Sequence, residues 1–331
     1  MNIAEVMAND AQALAKAREA GYPLVIRGLT NDWPAVQAAQ IGHLALARHL
    51  SDMDAGTTVE RMRGGPDING LFFYQPDLRG MNFTREPTTI SAMIRDLLAV
   101  ADQCTAPALY MGAAPTADCL PAFTSTNPMP NIPKEAFARV WLGNAVTIQT
   151  HFDASENLAC VVGGTRTFTL FPPDQTPNLY VGPLEFTPAG QPLSMVSLDR
   201  PDFERFPRFA QAQAAAVSSA LMPGDAIYIP PLWWHHVRSH GPFNVLVNYW
   251  WESMPLAASA FEALIHAVMT IRPLPDATRA AWRELFDAVV FGPDASATPH
   301  IPAHAAGVLG PLTPETAQMM RHFLIGSLSR R

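Results

Sequence analysis

Residues 147–153 read TIQTHFD, a short stretch that ends in two potential metal ligands. Its pattern is typical of a β-strand, in which successive side chains point to opposite faces. His151 and Asp153 therefore share one face of the predicted strand, and Phe152 lies on the other. Because the pattern is short, and a histidine in a strand is more often a hydrogen-bonded core residue, the pair predicts a metal site only if a third ligand is found.

A third ligand is offered by the sequence WWHH at residues 233–236. This segment follows the turn sequence PGD at 223–225 and a predicted strand at 226–229. Two histidines and one carboxylate on one face of an octahedron form the metal site of non-haem Fe(II) oxygenases. The open face of such a site binds a co-substrate and O₂.

Residues 110–251, which contain both motifs, consist largely of short apolar stretches separated by Gly, Pro and Asn. Such stretches predict β-strands joined by tight turns. We expect strands at 140–142, 146–152, 158–162, 165–171, 226–229, 235–239 and 245–250. Many short strands with turn signals favour a double-sheet β-fold or a barrel.

The N-terminal flank has a mixed α+β character. Residues 1–20 have the spacing of a short amphipathic helix, which ends before a strand at 24–26. Residues 34–100 combine helical stretches with a predicted hairpin that pairs 59–63 with 70–74.

The C-terminal flank is predicted to be helical, because the apolar period changes from two to about 3.6 after Pro255. We expect two regions, 1–254 and 255–331. The predicted helices of the second region cover 256–271, 279–291 and the neighbourhood of 315–328.

Composition excludes several classes of protein. Apolar residues make up 48% and charged residues 15% of the 331 residues, so the chain is expected to fold. With a net charge of −7 and no Lys/Arg cluster, a protein that binds nucleic acid through its phosphates is not expected. Three cysteines without paired spacing, no leader-like start and no long apolar run indicate a reduced cytoplasmic location without membrane contact.

Further motifs accompany the three ligands in a fixed order: Asn157, Gly163-Gly164, Arg166, Phe171-Pro172-Pro173, the run GDAIYIP at 224–230, and Asn248-Tyr249-Trp250. The series resembles the Jumonji-C, or cupin-like, family of Fe(II)- and 2-oxoglutarate-dependent oxygenases. The resemblance is strong over 141–251 and weaker over 22–110. It implies a mainly β fold, a double-stranded β-helix of the cupin or jelly-roll type, with an N-terminal α+β elaboration and C-terminal helices.

By this resemblance, His151, Asp153 and His235 bind Fe(II). His236 lies on the opposite face by strand alternation and is the fallback ligand. Arg166, fifteen residues after His151, matches a lysine that binds the distal carboxylate of 2-oxoglutarate. An arginine can bind a carboxylate through two N–H groups, so the chemistry is preserved with a different geometry.

The resemblance assigns further residues to the co-substrate pocket. Tyr110 shares the distal carboxylate, Asn157 and Asn248 line the pocket, and Trp250 forms an aromatic wall near the iron. From the sequence alone, Tyr110 and Trp250 are equally well explained as core aromatics. One position departs from the family: Ile148 stands where a Thr or Ser is common, so that the hydroxyl is lost or is supplied by a neighbouring threonine.

The implied activity is hydroxylation of a protein side chain or a small molecule, with consumption of O₂ and conversion of 2-oxoglutarate to succinate and CO₂. Two alternatives stay open. A non-redox metal cupin, an isomerase or hydrolase, would keep the three ligands but would not need Arg166 and Tyr110. A regulatory module with a vestigial pocket would tolerate the loss of a ligand, whereas all three are present.

We also expect a homodimer. The predicted C-terminal helices carry more apolar surface than the flank of a jelly roll needs, and a two-fold axis would bury matching stripes. A relative within the family dimerises through C-terminal helices. The alternative is that these helices cover the β-domain of their own chain.

Overall fold

The computed structural model describes residues 2–10, 12–252, 260–292 and 300–329. The chain divides into two compact units, residues 1–252 and 253–331, each of which is considered separately. The predicted boundary after residue 254 lies outside the described residues.

The first unit contains the whole sheet. Its strands are β1 (Ala4–Met7), β2 (Leu24–Arg27), β3 (Val59–Gly64), β4 (Leu71–Phe72), β5 (Thr84–Thr88), β6 (Ala108–Pro115), β7 (Phe137–Gly143), β8 (Thr147–His151), β9 (Glu156–Phe171), β10 (Val217–Leu221), β11 (Ala226–Ile229) and β12 (Trp234–Trp251). Its helices are α1 (Ala13–Ala20), α2 (Pro34–Ile41), α3 (His43–Ser51), α4 (Ile90–Val100), α5 (Thr116–Cys119), α6 (Phe123–Thr126) and α7 (Phe209–Ala215).

Within the described residues, twelve strands form one hydrogen-bonded sheet in the order β1-β2-β11-β9-β12-β7-β6-β3-β5, with β10 on β9 and β8 between β12 and β4. The long strands β9 and β12 are antiparallel, from Glu156 opposite Trp251 to Phe171 opposite Trp234. β9 also pairs with β10 and β11, and β12 with β7 and β8. These two strands thus connect all parts of the roll, and the predicted mainly β, cupin-type jelly roll is confirmed.

β9 is one strand where the sequence predicts two, at 158–162 and 165–171. The expected break is a local irregularity on both sides of Gly163, where the register with β12 shifts; the next residue, Gly164, has a φ of +72°, and a Cβ atom there would lie 2.1 Å from the Asn244 side chain. An irregularity of one residue changes which residues face inward. Ala159, before it, and Phe168, after it, accordingly belong to the same inner apolar cluster.

Two of the unit's four apolar clusters lie on the two faces of the sheet. The larger one lies between the helices and the outer face of the sheet, where residues such as Leu50 and Ile94 pack with Leu158 and Val247. The smaller one lies inside the roll and includes Phe168. The face directed away from the helices is therefore free to form an interior site.

Two predictions for the N-terminal flank are wrong. Residues 4–7 form β1 rather than the start of a helix, because they pair in parallel with β2. The predicted hairpin also has different partners: β3 pairs with β5 and β6, and β4 pairs in parallel with β8. Both errors arise because long-range pairing outweighs local preference.

The second unit is helical. It contains α8 (Ala260–Thr270), α9 (Asp276–Phe286), continued by a π-helical turn at Asp287–Phe291, and α10 (Pro314–Leu328). The predicted start of the first helix at 256 falls outside the described residues. Among the described helices, none is both long enough and apolar enough to cross a membrane.

Candidate metal centre

Three potential ligands meet where β8 ends and β12 begins. His151 and His235 are directly paired residues of these two strands. Asp153 follows β8, and its carbonyl oxygen accepts a hydrogen bond of 2.8 Å from the Leu232 amide, which fixes the two chain segments together. One potential ligand atom from each side chain lies within 4.8 Å of the other two. The carboxylate of Asp153 is 3.6 Å from Nε2 of His235.

Both imidazoles are oriented by a backbone carbonyl two residues earlier. Nδ1 of His151 lies 2.8 Å from the Gln149 oxygen, and Nδ1 of His235 lies 3.0 Å from the Trp233 oxygen. A carbonyl only accepts, so each Nδ1 donates a hydrogen bond and Nε2 is the ring nitrogen left available to a metal ion. Desolvation and the neighbouring His235 lower the pKa of His151 to about 4. The imidazole of His151 is therefore neutral near pH 7, which is the form that binds a metal ion.

Arg166, on β9, is a buried cation that forms no ion pair with a carboxylate among the described residues and has Tyr110 as its polar neighbour. Its side chain is only 2% exposed, and its Nε and Nη2 groups have no hydrogen-bond partner among the described residues. Burial lowers the pKa of the guanidinium, and the nearby Tyr110 opposes this shift. Burial also raises the pKa of Tyr110, so its phenol is neutral. Unpaired N–H groups at such depth are costly, which indicates that an anion completes the site.

Two asparagine side chains connect the ligand Asp153 to the neighbouring strands. Nδ2 of Asn157 donates to Oδ2 of Asp153 at 3.1 Å, and Nδ2 of Asn248 donates to Oδ1 of Asn157 at 3.1 Å. Both amides are almost fully buried. The two residues predicted to line the co-substrate pocket therefore also hold a predicted metal ligand.

The structure brings all predicted site residues to one cavity of about 590 Å³. Its lining includes Tyr110, His151, Asp153, Asn157, Arg166, His235, Asn248 and Trp250. His236, the fallback ligand, is buried outside this lining, where desolvation lowers its pKa to about 4.

The wall of the cavity shows that neither neighbouring threonine takes the place of the hydroxyl expected at Ile148. Ile148 lines the cavity, whereas Thr147 and Thr150 are buried outside its lining. Neither threonine therefore supplies a hydroxyl to the cavity. Gln149 does line it, and Nε2 of Gln149 donates to the carbonyl oxygens of Ser194 and Val196, so this amide fixes part of the segment between β9 and β10 against β8.

Sequence reasoning did not identify Trp141 or Gly112, which also line the cavity. A Cβ atom at Gly112 would lie 3.0 Å from the Trp141 ring and 3.3 Å from the Tyr110 ring, so glycine leaves room for both aromatics. The signal available for Trp141 was the alternation of β7, which separates it from the buried Val140 and Leu142.

Comparisons with known proteins agree with this geometry. The family model described as "Cupin-like domain" matches residues 10–256. The chain is 37% identical over 115 residues to Jumonji C domain-containing protein 5 of Drosophila melanogaster, which covers 34% of this chain and 27% of that protein. It is 35% identical over 114 residues to Lysine-specific demethylase JMJ31 of Arabidopsis thaliana, covering 34% and 20% of the two chains.

A third relative is tRNA wybutosine-synthesizing protein 5 of Gallus gallus, with 30% identity over 146 residues, 39% of this chain and 43% of that protein. The matches thus span less than half the length of each of these three relatives. The family model covers most of the chain, including all of β2 to β12. The chain therefore belongs to the cupin-like domain family.

Proposed function

We propose that this protein is an Fe(II)- and 2-oxoglutarate-dependent oxygenase that hydroxylates a protein side chain or a small molecule. The observation that carries the proposal is the buried guanidinium of Arg166, whose Nε and Nη2 groups are unpaired, in the cavity that also holds His151, Asp153 and His235. A metal site alone is compatible with many reactions. A metal site that shares a cavity with a buried, unpaired cation is suited to a co-substrate with a free carboxylate.

The donor set fits Fe(II). Two imidazoles and one carboxylate are the protein ligands of non-haem Fe(II) oxygenases, and here His151, Asp153 and His235 would hold the ion. With 2-oxoglutarate and O₂, the bound ion would supply the redox chemistry by which one oxygen atom of O₂ enters a substrate C–H bond. The second oxygen atom enters succinate, and CO₂ is released.

The same cavity fits 2-oxoglutarate. Arg166 has two N–H groups to donate to the distal carboxylate, and the neutral Tyr110 phenol adds a third donor. The apolar residues Phe168, Val237 and Leu246 line the same cavity and would reduce the water around a bound co-substrate. The chain's own task is thus to bind, orient and desolvate.

A non-redox metal cupin remains the second candidate, since the three ligands alone would suit Zn²⁺ or Mn²⁺. That function leaves the unpaired N–H groups of Arg166 unexplained. A regulatory module with a vestigial pocket is less well supported, because each ligand is held by a hydrogen bond.

For the substrate class, we propose a protein side chain or a small molecule rather than nucleic acid. The relatives' names refer to lysine demethylation and to a tRNA modification, so they do not agree on a substrate. The net charge of −7 disfavours a polyanion. A cytoplasmic location likewise stays a proposal.

The test is an anaerobic titration of the full chain with Fe(II) and then with 2-oxoglutarate. We expect metal binding, followed by the visible absorption that 2-oxoglutarate produces when it chelates Fe(II). Succinate formation is then measured over a panel of peptides and metabolites. Asp153→Ala should remove Fe(II) binding and turnover without unfolding the protein, because it deletes a ligand at the cavity and no core volume. Metal binding without any response to 2-oxoglutarate would favour the non-redox cupin.

A further inference from the structure

Trp141 contacts the hydrogen-bonded chain that ends on the carboxylate of Asp153. It lies in the middle of β7, directly opposite Leu246 of β12. Its indole Nε1 donates to Oδ1 of Asn248 at a distance of 2.7 Å. Four side chains are thus connected in series, from Trp141 through Asn248 and Asn157 to Asp153.

The direction of this series is determined at the indole. An indole N–H group donates and cannot accept, so Asn248 must present its oxygen to Trp141. The amide nitrogen of Asn248 is then directed to the oxygen of Asn157, and the nitrogen of Asn157 is directed to Asp153. If the direction were reversed, the oxygen of Asn157 would face the carboxylate of Asp153, and two acceptors would oppose each other.

We propose that Trp141 is a positioning residue for the metal centre: its N–H group fixes both amides in the orientation that presents a donor to Asp153. The inference rests on the proposed function only in that Asp153 binds a metal ion. It assigns a task to a residue that touches neither the metal ligands nor the predicted carboxylate clamp through a hydrogen bond of its own.

The orientation of the two amides affects Asp153 strongly because both amides are buried. Asn157 is 5% exposed and Asn248 is 2% exposed, so water has little access to replace a lost partner. The indole itself is held by ring contacts with Trp250 and Tyr110, at centroid distances of 5.7 and 6.1 Å. A phenylalanine could make comparable ring contacts, but it could not donate the hydrogen bond.

The experiment compares Mn²⁺ affinity of the wild-type chain and Trp141→Phe, without 2-oxoglutarate, by calorimetry. Loss of a hydrogen bond that orients a metal ligand typically reduces affinity about 10- to 100-fold. Because Trp141 acts through two intervening amides, we expect a loss near the lower end, roughly tenfold. The matched control is Trp251→Phe, which also removes a buried indole N–H from this sheet, one without a partner. This control should bind Mn²⁺ as the wild type does.

Asn248→Asp tests the same direction with Trp141 intact. The new carboxylate still accepts from the indole but cannot donate, so Asn157 must turn its nitrogen to residue 248 and its oxygen to Asp153. We expect a loss of Mn²⁺ affinity at least as large as that of Trp141→Phe. This variant decides the question if Trp141→Phe does not fold, as judged by circular dichroism.

Wild-type Mn²⁺ affinity in folded Trp141→Phe, or in Asn248→Asp, would overturn the inference and leave the proposed oxygenase intact. Failure of the wild-type chain to bind Mn²⁺ or Fe(II) would instead overturn the proposed metal centre, and the inference with it.

Discussion

Among the residues of the cavity, Arg166 gives the most information about the ligand that the cavity binds. A buried arginine normally has an acidic partner, because an isolated charge at such depth is costly. Among the described residues, Arg166 forms no ion pair with a carboxylate, and two of its N–H groups are unpaired. A cation that is paired only when a ligand is present contributes to binding rather than to folding.

Arg166→Met should therefore reduce the affinity for 2-oxoglutarate while the fold is retained. Each charge-assisted contact contributes about 1.5–3 kcal/mol, so we expect a loss of roughly 10- to 100-fold. Calorimetry with Mn²⁺ in place of Fe(II) measures the loss, and Mn²⁺ affinity itself should not change. Arg166→Lys, which places the family's usual residue here, should retain part of the affinity.

The thermal midpoint provides a second measurement on the same variant. Because Arg166 has no acidic partner to lose, replacing it with an apolar side chain should leave the midpoint unchanged or raise it. A marked decrease in the midpoint, together with unchanged 2-oxoglutarate affinity, would show that Arg166 is structural and that another cation binds the distal carboxylate.

Individual site residues could be predicted from the sequence where the alternation within one strand determines which face their side chains occupy. Strand alternation places His151 and Asp153 together, and the family pattern selects His235 over His236; the structure brings the three to one cavity. Trp141 was not predictable in this way, because its hydrogen bond to Asn248 depends on how β7 is paired with β12. Contacts between strands distant in sequence leave no spacing signal in either strand.

At the scale of elements, Arg27 of β2 connects four parts of the sheet. Its guanidinium donates hydrogen bonds to Glu5 of β1, to Ser219 of β10 and to Asp225, which precedes β11. It also donates to the Ala220 carbonyl oxygen. These hydrogen bonds explain why β1 forms although the local sequence did not predict it. A four-residue edge strand with little burial is stabilised by side chains of other strands.

Arg27→Met should lower the free energy of unfolding by about 1–2 kcal/mol at pH 7, since the lost ion pairs are partly exposed and screened by solvent. Urea unfolding measures this loss. Arg48→Met is the control, because Arg48 is exposed and forms no ion pair within the described residues. Its effect on stability should be close to zero.

The loss should also depend on pH. The hydrogen bond from Arg27 lowers the pKa of Glu5 below its ordinary value of 4.5. A carboxylate with a lowered folded-state pKa stabilises fully above its unfolded pKa, and this contribution disappears as the pH falls through the folded pKa. The difference between wild type and Arg27→Met should therefore be smaller at about pH 3 than at pH 7. An equal difference at both pH values would mean that the Glu5 pair does not contribute.

At the scale of the whole molecule, the two units differ in how they bury apolar residues. The first unit has four apolar clusters. In the described part of the second unit, by contrast, Ala306 and Ala317 are the buried apolar residues. Its helices instead expose large side chains, including Trp282, Phe291 and Phe323. The helices of this unit were predictable from the periodicity of their apolar residues. The surface that these apolar residues contact was not predictable, because periodicity does not identify a partner.

We propose that helices α8 to α10 form a self-association surface across a two-fold axis. Phe323 is 70% exposed and Ile325 is 62% exposed, and burying a side chain of this size contributes about 1.5–3 kcal/mol. Large apolar side chains exposed together mark an interface, and a two-fold arrangement buries the same residues on both copies. Light scattering on the full chain should therefore give the mass of a dimer.

Phe323→Glu should shift that mass toward the monomer, because a carboxylate would be buried at the centre of the proposed surface without a partner. Gln318→Glu adds the same charge to an exposed position of α10 and should leave the dimer intact. A wild-type chain that is monomeric at micromolar concentration would exclude the interface. It would also favour the alternative interpretation, in which the C-terminal stripes cover apolar surface of their own chain.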